Sequence, residues 1–318
     1  MKEFKGYKKG IDLGGWLSQC DYSKDRLENF IKEKDIETIA SWGADHVRLP
    51  IDFNILEDEN GGYSDTGFGY VNGAVEMCKK NGLNIIIDLH KTAGFSFDKG
   101  EQEFGFFDSA ELQDRFCRLW EEIARRYAYD PEHIAFELLN EVTDKEFSPV
   151  WNRIVRECIG RIRKIAPVTP ILVGSYWNNS VCAVADLDAP FDDNIVYNFH
   201  CYDPLEFTHQ HAYWVDPEQF DVSHDMKYEE SKATAEYFEE LFKPAIEKAQ
   251  ANNTVLYCGE YGVIDKAAPE DTLKWYKAIN SVFEKYNIGR CAWCYKEMDF
   301  GLTDAHLDGI REELLKYI

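Results

Sequence analysis

The chain has 318 residues, 45% hydrophobic and 29% charged. That is enough apolar material for a large core and excludes a disordered chain. Lys and Arg number 35 against 58 Asp and Glu, a formal charge of −23, which excludes nucleic acid and anionic membrane surfaces as partners because phosphates need basic patches.

In chain order, the first apolar run, 10–16, reads as a strand, and helical periodicity follows over about 24–42. A second strand, 45–51, contains His46-Val-Arg48-Leu-Pro50. A helix over 68–81 leads to a third strand, 83–90, ending Asp88-Leu-His90. Residues 91–108 hold Phe95, Phe97, Phe104, Phe106 and Phe107 without an element of their own. The helical pattern 109–129 stops at Asp130-Pro131. Strand 4, 134–140, closes on Asn140-Glu141, and a helix over 147–165 stops at Ala166-Pro167. Strand 5, 170–175, is followed by Trp177. Strand 6, 194–202, carries His200 and Tyr202, two residues apart and so on one face. Residues 203–232 hold Phe207, Tyr213, Trp214 and Phe220 with His209 and His211. A helix over 233–252, strand 7 over 255–261 with Glu260, a helix over 270–287, strand 8 over 288–295 with Trp293, and a closing helix near 305–317 complete the chain.

Eight strands alternating with helices are the pattern of an α/β fold, the (β/α)₈ TIM barrel. A doubly wound sheet is the alternative, but Gly10-x₃-Gly14-Gly15 does not fit G-x-G-x-x-G. No repeat or linker divides the chain, so a single catalytic domain over 1–318 is expected. Its extended loops follow strands 3 and 6, and the second forms a small lid or subdomain at 203–232. Both emerge on the C-terminal face, where they can wall a substrate cleft.

The nine Cys are odd in number, and Cys201, Cys258 and Cys291 lie in apolar runs. They read as buried hydrophobes of a reduced protein. Cys291-Ala-Trp-Cys294 lies within the predicted strand 8, whose alternation separates the two thiols, so no zinc site is expected. The N-terminus has no apolar h-region, and no run approaches the ~18 apolar residues of a membrane helix. As written, the chain reads as cytoplasmic, or as secreted if a signal was removed.

The chemistry gathers at the strand ends. Glu141 and Glu260 each close an apolar run, at the level where such barrels keep their catalytic groups. Two carboxylates across a barrel mouth are the equipment for cleaving a glycosidic bond. Around them stand Arg48, His90, Asn140, His200, Tyr202 and Trp293. Aromatics make up 14% of the chain, with 8 Trp and 18 Tyr, and sugar clefts use aromatic faces as platforms.

This set resembles the catalytic constellation of glycoside hydrolase family 5, the cellulase family. It is similar in more detail to bacterial endoglucanases of the C type, through Gly10-Ile-Asp-Leu-Gly-Gly-Trp16, Glu33-Lys-Asp-Ile-Glu-Thr-Ile-Ala40, Asp45-His-Val-Arg-Leu-Pro50, His133-Ile-Ala-Phe-Glu-Leu-Leu-Asn-Glu141, Ile195-Val-Tyr-Asn-Phe-His200, Phe207-Thr-His-Gln210 and Leu256-Tyr-Cys-Gly-Glu260. The resemblance covers essentially the whole chain. It departs from that type after strand 6, where the C type carries a longer helical insertion.

The resemblance implies a retaining double displacement. Glu141 would be the general acid and then base, and Glu260 the nucleophile, steadied by Arg48 and Tyr202. Asn140 would bind the sugar 2-OH, His200 would orient the carboxylates, and His90 would bind a hydroxyl. Trp293 would floor the central subsite and Trp177 a neighbouring one. No metal or other cofactor is required. The substrate would be a β-glucan polysaccharide or oligosaccharide, with β-1,4 or mixed β-1,3/1,4 linkages, cut internally. β-Mannanase and exo-β-1,3-glucanase are the alternatives within the family. Outside it stand a metal-dependent hydrolase using His90 and His200, and a non-catalytic carbohydrate-binding barrel.

Overall fold

The computed structural model describes residues 1–98, 100–101 and 103–318. Eight parallel strands close into a barrel in sequence order: β1 Lys9–Asp12, β2 His46–Asp52, β3 Asn84–Lys91, β4 Ile134–Glu137, β5 Ile171–Val173, β6 Ile195–Cys201, β7 Val255–Tyr261 and β8 Gly289–Ala292. This is the expected (β/α)₈ barrel, in one domain. Five strands stop short of their predicted ends. β5 ends at Val173 and β6 at Cys201, while β1 ends at Asp12, β4 at Glu137 and β8 at Ala292, so Asn140, Glu141 and Trp293 stand on loops beyond the strands. Past these ends the regular ladder stops, but single backbone bonds to the neighbouring strands persist, from Leu13 N–H to the Arg48 carbonyl, Leu138 N–H to Leu172, Asn140 N–H to Leu89 and Trp293 N–H to Tyr261, and the apolar side chains stay buried.

Long amphipathic helices surround the barrel: Asp65–Lys80, Ala110–Tyr127, Ser148–Ile162, Ala235–Ala251 and Pro269–Tyr286. Ser64, Ser109 and Thr234 cap three of them by accepting from backbone N–H groups of the first turn. The helix Ala110–Tyr127 buries Phe116, Leu119, Trp120, Ile123 and Tyr127, the stripe that 3.6-residue periodicity requires.

Elsewhere the predicted helices break. The 24–42 pattern is two helices, Lys24–Asn29 and Glu33–Ser41. The closing helix is a 3₁₀ turn, a single α-turn at Arg311–Leu314 and another 3₁₀ turn. Between β5 and β6 a turn at Tyr176–Asn179 and a 3₁₀ segment, Val181–Asp186, replace the usual long helix.

The barrel interior is layered. Phe4 and Tyr7, stacked at 4.2 Å, close the bottom and pack with Ile86, Ala135, Leu172, Val196 and Tyr257. Two residues further along several strands the interior turns polar, because every second side chain points inward. Register sets Asp12 beside Arg48 and Asp88 beside Glu137. A register shift between Phe199 and His200 pairs His200 with Glu260. Such irregularities re-aim side chains at a barrel rim.

No helix among the described residues is long and apolar enough to cross a membrane. All nine Cys are free thiols, most of them buried. Cys291 lies on β8 but Cys294 lies past its end, so strand alternation does not explain their separation. Cys294 Sγ instead points at the Lys296 and Glu297 carbonyls.

Candidate active site

Arg48 is the hub of the polar layer and is fully buried. Its Nε and Nη2 donate to Glu137 at 2.7 and 2.9 Å. Nη1 donates to Glu260 Oε1 at 2.7 Å and to Asp12 at 3.0 Å. Nη2 also reaches Asn140 Oδ1 at 2.8 Å and Asp88 at 3.0 Å. The surrounding carboxylates hold its proton far more tightly than in water. A planar, permanently charged fork suits this task as a Lys would not.

Glu260 is held at both oxygens. Oε1 takes the Arg48 hydrogen bond, and Oε2 accepts from the Tyr202 hydroxyl at 2.9 Å. Burial and the nearby Glu260 charge push the Tyr202 phenol well above its ordinary value, so it stays a donor. Asn140 turns its carbonyl to Arg48, which can only donate, and this fixes the amide. Its Nδ2 is buried with no partner among the described residues.

Glu141 sits in the left-handed region with φ 44°. A non-glycine residue is rarely held there except where its surroundings demand it. Oε1 shares a 2.8 Å hydrogen bond with His200 Nδ1, and Oε2 accepts from Asn178 Nδ2 at 3.1 Å. The side chain keeps 13% exposure. Burial raises its pKa to about 7, against the opposing pull of Asn178 and Arg48. His200 lies between the two glutamates, 3.5 Å from Glu260 Oε2. Burial lowers its pKa to about 4, so the ring is neutral near pH 7. An oxygen of Glu141, an oxygen of Glu260 and a nitrogen of His200 all lie within 4.8 Å of one another.

Three donors of this kind could in principle hold a cation. Here, however, both oxygens of Glu260 and both of Glu141 already engage protein partners.

His90 shares a 2.6 Å hydrogen bond with Asp88 and lies parallel to the Trp293 indole, the ring centroids 5.9 Å apart. Burial lowers the His90 pKa to about 3, leaving a neutral ring, and raises that of Asp88 to about 7. Beneath Trp293 lies Gly14, where a Cβ would fall 2.7 Å from the indole. Trp177 stands apart from this group on the turn after β5, 54% exposed, with φ 52°.

The structure therefore gathers Arg48, His90, Asn140, Glu141, His200, Tyr202, Glu260 and Trp293 at one mouth, with Trp177 at its edge. The two long segments lie beside it. From 91–108, Phe97 meets the His90 ring edge at 4.9 Å. From 203–232, His209 and Trp214 cluster beside Tyr202 and Phe300.

Sequence reasoning missed Asp12, Asp88, Glu137 and Asn198, which hold Arg48 or its partners, and Asn178, which touches Glu141. The buried four carried a signal: a charged or amide residue inside an apolar run, in phase with inward-facing neighbours. Asn178 carried none, since a left-handed turn brings it to the site.

The chain matches the model of "Cellulase (glycosyl hydrolase family 5)" over residues 8–299. It belongs to glycosyl hydrolase family 5. It is thus a glycoside hydrolase. Cellodextrinase A of Ruminococcus flavefaciens is 58% identical over 290 residues, covering 91% of this chain and 86% of that protein. Endoglucanase C of Acetivibrio thermocellus is 39% identical over 337 residues, covering 98% of each. The Cel5A structure of Thermotoga maritima in complex with cellobiose superposes with a TM-score of 0.83 at 27% identity, covering 98% of this chain and 97% of that one. Its mannotriose complex gives 0.82.

Proposed function

We propose that the protein is a retaining endo-β-glucanase of this family, hydrolysing β-1,4 bonds in cellulose-like chains, soluble cellodextrins and mixed β-1,3/1,4-glucans. The observation that carries the mechanism is the approach of Glu141 and Glu260 oxygens to within 4.8 Å. Retaining glycosidases keep their carboxyls ~5–5.5 Å apart, whereas inverting ones leave ~6.5–9.5 Å for a water. The names of the cellodextrinase and endoglucanase relatives support the substrate class.

Glu141, protonated near neutral pH, gives its proton to the glycosidic oxygen as that bond breaks. Glu260 attacks the anomeric carbon and forms a glycosyl ester. Arg48 and Tyr202 hold the carboxylate in line until then. Esterification removes a negative charge beside Glu141, so its pKa falls and it becomes the base that activates the hydrolytic water. His200 keeps the two carboxylates aligned. The unpaired Nδ2 of Asn140 donates to the sugar 2-OH, and the neutral His90 edge binds a further hydroxyl. Trp293 supplies the apolar floor, and Trp177 a platform on the acid's side of the cleft. The segment 203–232 acts as a small wall or lid over Tyr202.

The mannotriose complex of the Thermotoga protein supports a second substrate, β-mannan. Product release from carboxymethyl-cellulose, barley glucan, mannan and laminarin, with Glu260→Gln as the blank, tests the assignment. Mid-length products from the two β-1,4-containing glucans are expected. Release from mannan alone would move the protein to the mannanase branch. Activity on no glycan would leave a carbohydrate-binding barrel.

A further inference from the structure

We propose that Glu137 is a positioning residue for the reaction, clamping the Arg48 fork so that its free edge is held on Glu260 and Asn140. The inference rests on the acid and nucleophile roles given above. Glu137 is fully buried on β4, four residues before Glu141. It takes the Nε/Nη2 edge of Arg48 through both oxygens, at 2.7 and 2.9 Å. A bidentate pair fixes the plane of a guanidinium as well as its place. With that edge occupied, Nη1 points at Glu260 and Nη2 also reaches Asn140.

Glu137 is itself braced. Asn198 Nδ2, from β6, donates to its Oε1 at 2.8 Å. Asn198 lies against Gly259, where a Cβ would fall 2.6 Å from its Oδ1. A chain of close contacts thus runs from the residue before the nucleophile, through Asn198 and Glu137, to the cation that holds the nucleophile. A carboxylate serving stability alone has no need to share its cation with the reacting group.

Its charge has a second effect. Arg48 from β2, Asp88 from β3 and His200 from β6 face Glu137. Glu141 is faced by Arg48, Asp98 and Glu137, with His200 and Glu260 at close range. Arg48 favours loss of the Glu141 proton, whereas the Glu137 and Asp98 charges oppose it. Removing the Glu137 charge therefore eases that loss.

The test compares Glu137→Gln and Glu137→Asp with the wild type and Glu260→Ala on barley glucan across pH 4–9. Glu137→Gln is expected to lower kcat by about 10- to 100-fold with KM within about twofold, as misplacement of a reacting group does. Its basic limb should also move to lower pH. Glu137→Asp keeps the charge but shortens the reach, so kcat falls while the basic limb stays in place. Wild-type kcat and an unmoved limb in Glu137→Gln would overturn the proposal. So would equal losses in both variants with neither limb moved, the mark of a purely structural residue. Should Glu137→Gln fail to fold, Asn198→Ala loosens the same carboxylate without removing its charge. A lowered kcat with an unmoved limb is expected there, and wild-type kcat would overturn the proposal. Activity surviving in Glu260→Ala would instead refute the nucleophile assignment, whatever Glu137 does.

Discussion

Glu141→Gln should cost activity and raise stability, and the gain should depend on pH. Burial lifts the Glu141 pKa from its ordinary 4.5 to about 7. In the unfolded chain the carboxyl ionises first, so between those values the folded state binds more protons and stability falls as pH rises. Below pH 4.5 both states are protonated and the penalty is absent; above about 7 it is fully present. At ~1.36 kcal/mol per pKa unit the penalty reaches about 3 kcal/mol. Gln loses part of the pairing with His200 and Asn178, which leaves a net gain of about 1–3 kcal/mol at pH 8. For 318 residues, an unfolding entropy of ~2.1 cal/mol/K per residue converts that to a Tm rise of about 2–5 °C. The assay is thermal unfolding of both proteins at pH 4.5 and pH 8, with turnover measured alongside. The variant should melt higher only at pH 8, and turnover should drop by ~10²–10⁴-fold. Equal melting shifts at both pH values, or a variant less stable at pH 8, would refute a carboxyl held protonated by burial.

Asn178→Ala removes a donor that favours the Glu141 anion. The basic limb of kcat/KM should move up by roughly half a pH unit, for an exposed hydrogen bond of under ~1 kcal/mol; a downward move would contradict the contact. Gly14→Ala pushes a methyl into the Trp293 indole, and activity on every substrate should fall while folding is kept; a loss confined to long polymers would place Trp293 in a distal subsite. Excess EDTA should leave turnover unchanged, since the protein itself engages every oxygen of both glutamates, and loss of activity restored by a divalent cation would revive the metal-dependent reading.

The barrel was legible because buried parallel strands read as short β-branched apolar runs, and because His200 and Glu260 punctuate two of them near their C-terminal ends, with Arg48 inside a third. Strand ends were less legible. Leu138-Leu139 continue the apolar run of β4 past its regular ladder, where only the Leu138 N–H still reaches β5 at Leu172, and hydrophobicity reports burial rather than the extent of pairing. Glu137 is the one charged residue inside that run, three positions before Asn140-Glu141. Inward positions recur at every second residue of a strand, so Ala135 and Glu137 share the interior face. Its need for a cation on an adjacent element could have pointed to Arg48. The turn that delivers Asn178 and Asn179 depends on consecutive left-handed residues, and nothing in Tyr-Trp-Asn-Asn announces them.

The most direct test of double displacement is proton NMR of the first product formed from a soluble cello-oligosaccharide, recorded before mutarotation. The approach of Glu141 to Glu260 predicts that the β-anomer appears first and that Glu260→Ala with azide yields an α-glycosyl azide. An α-anomer appearing first would mean that water, not Glu260, attacks the sugar.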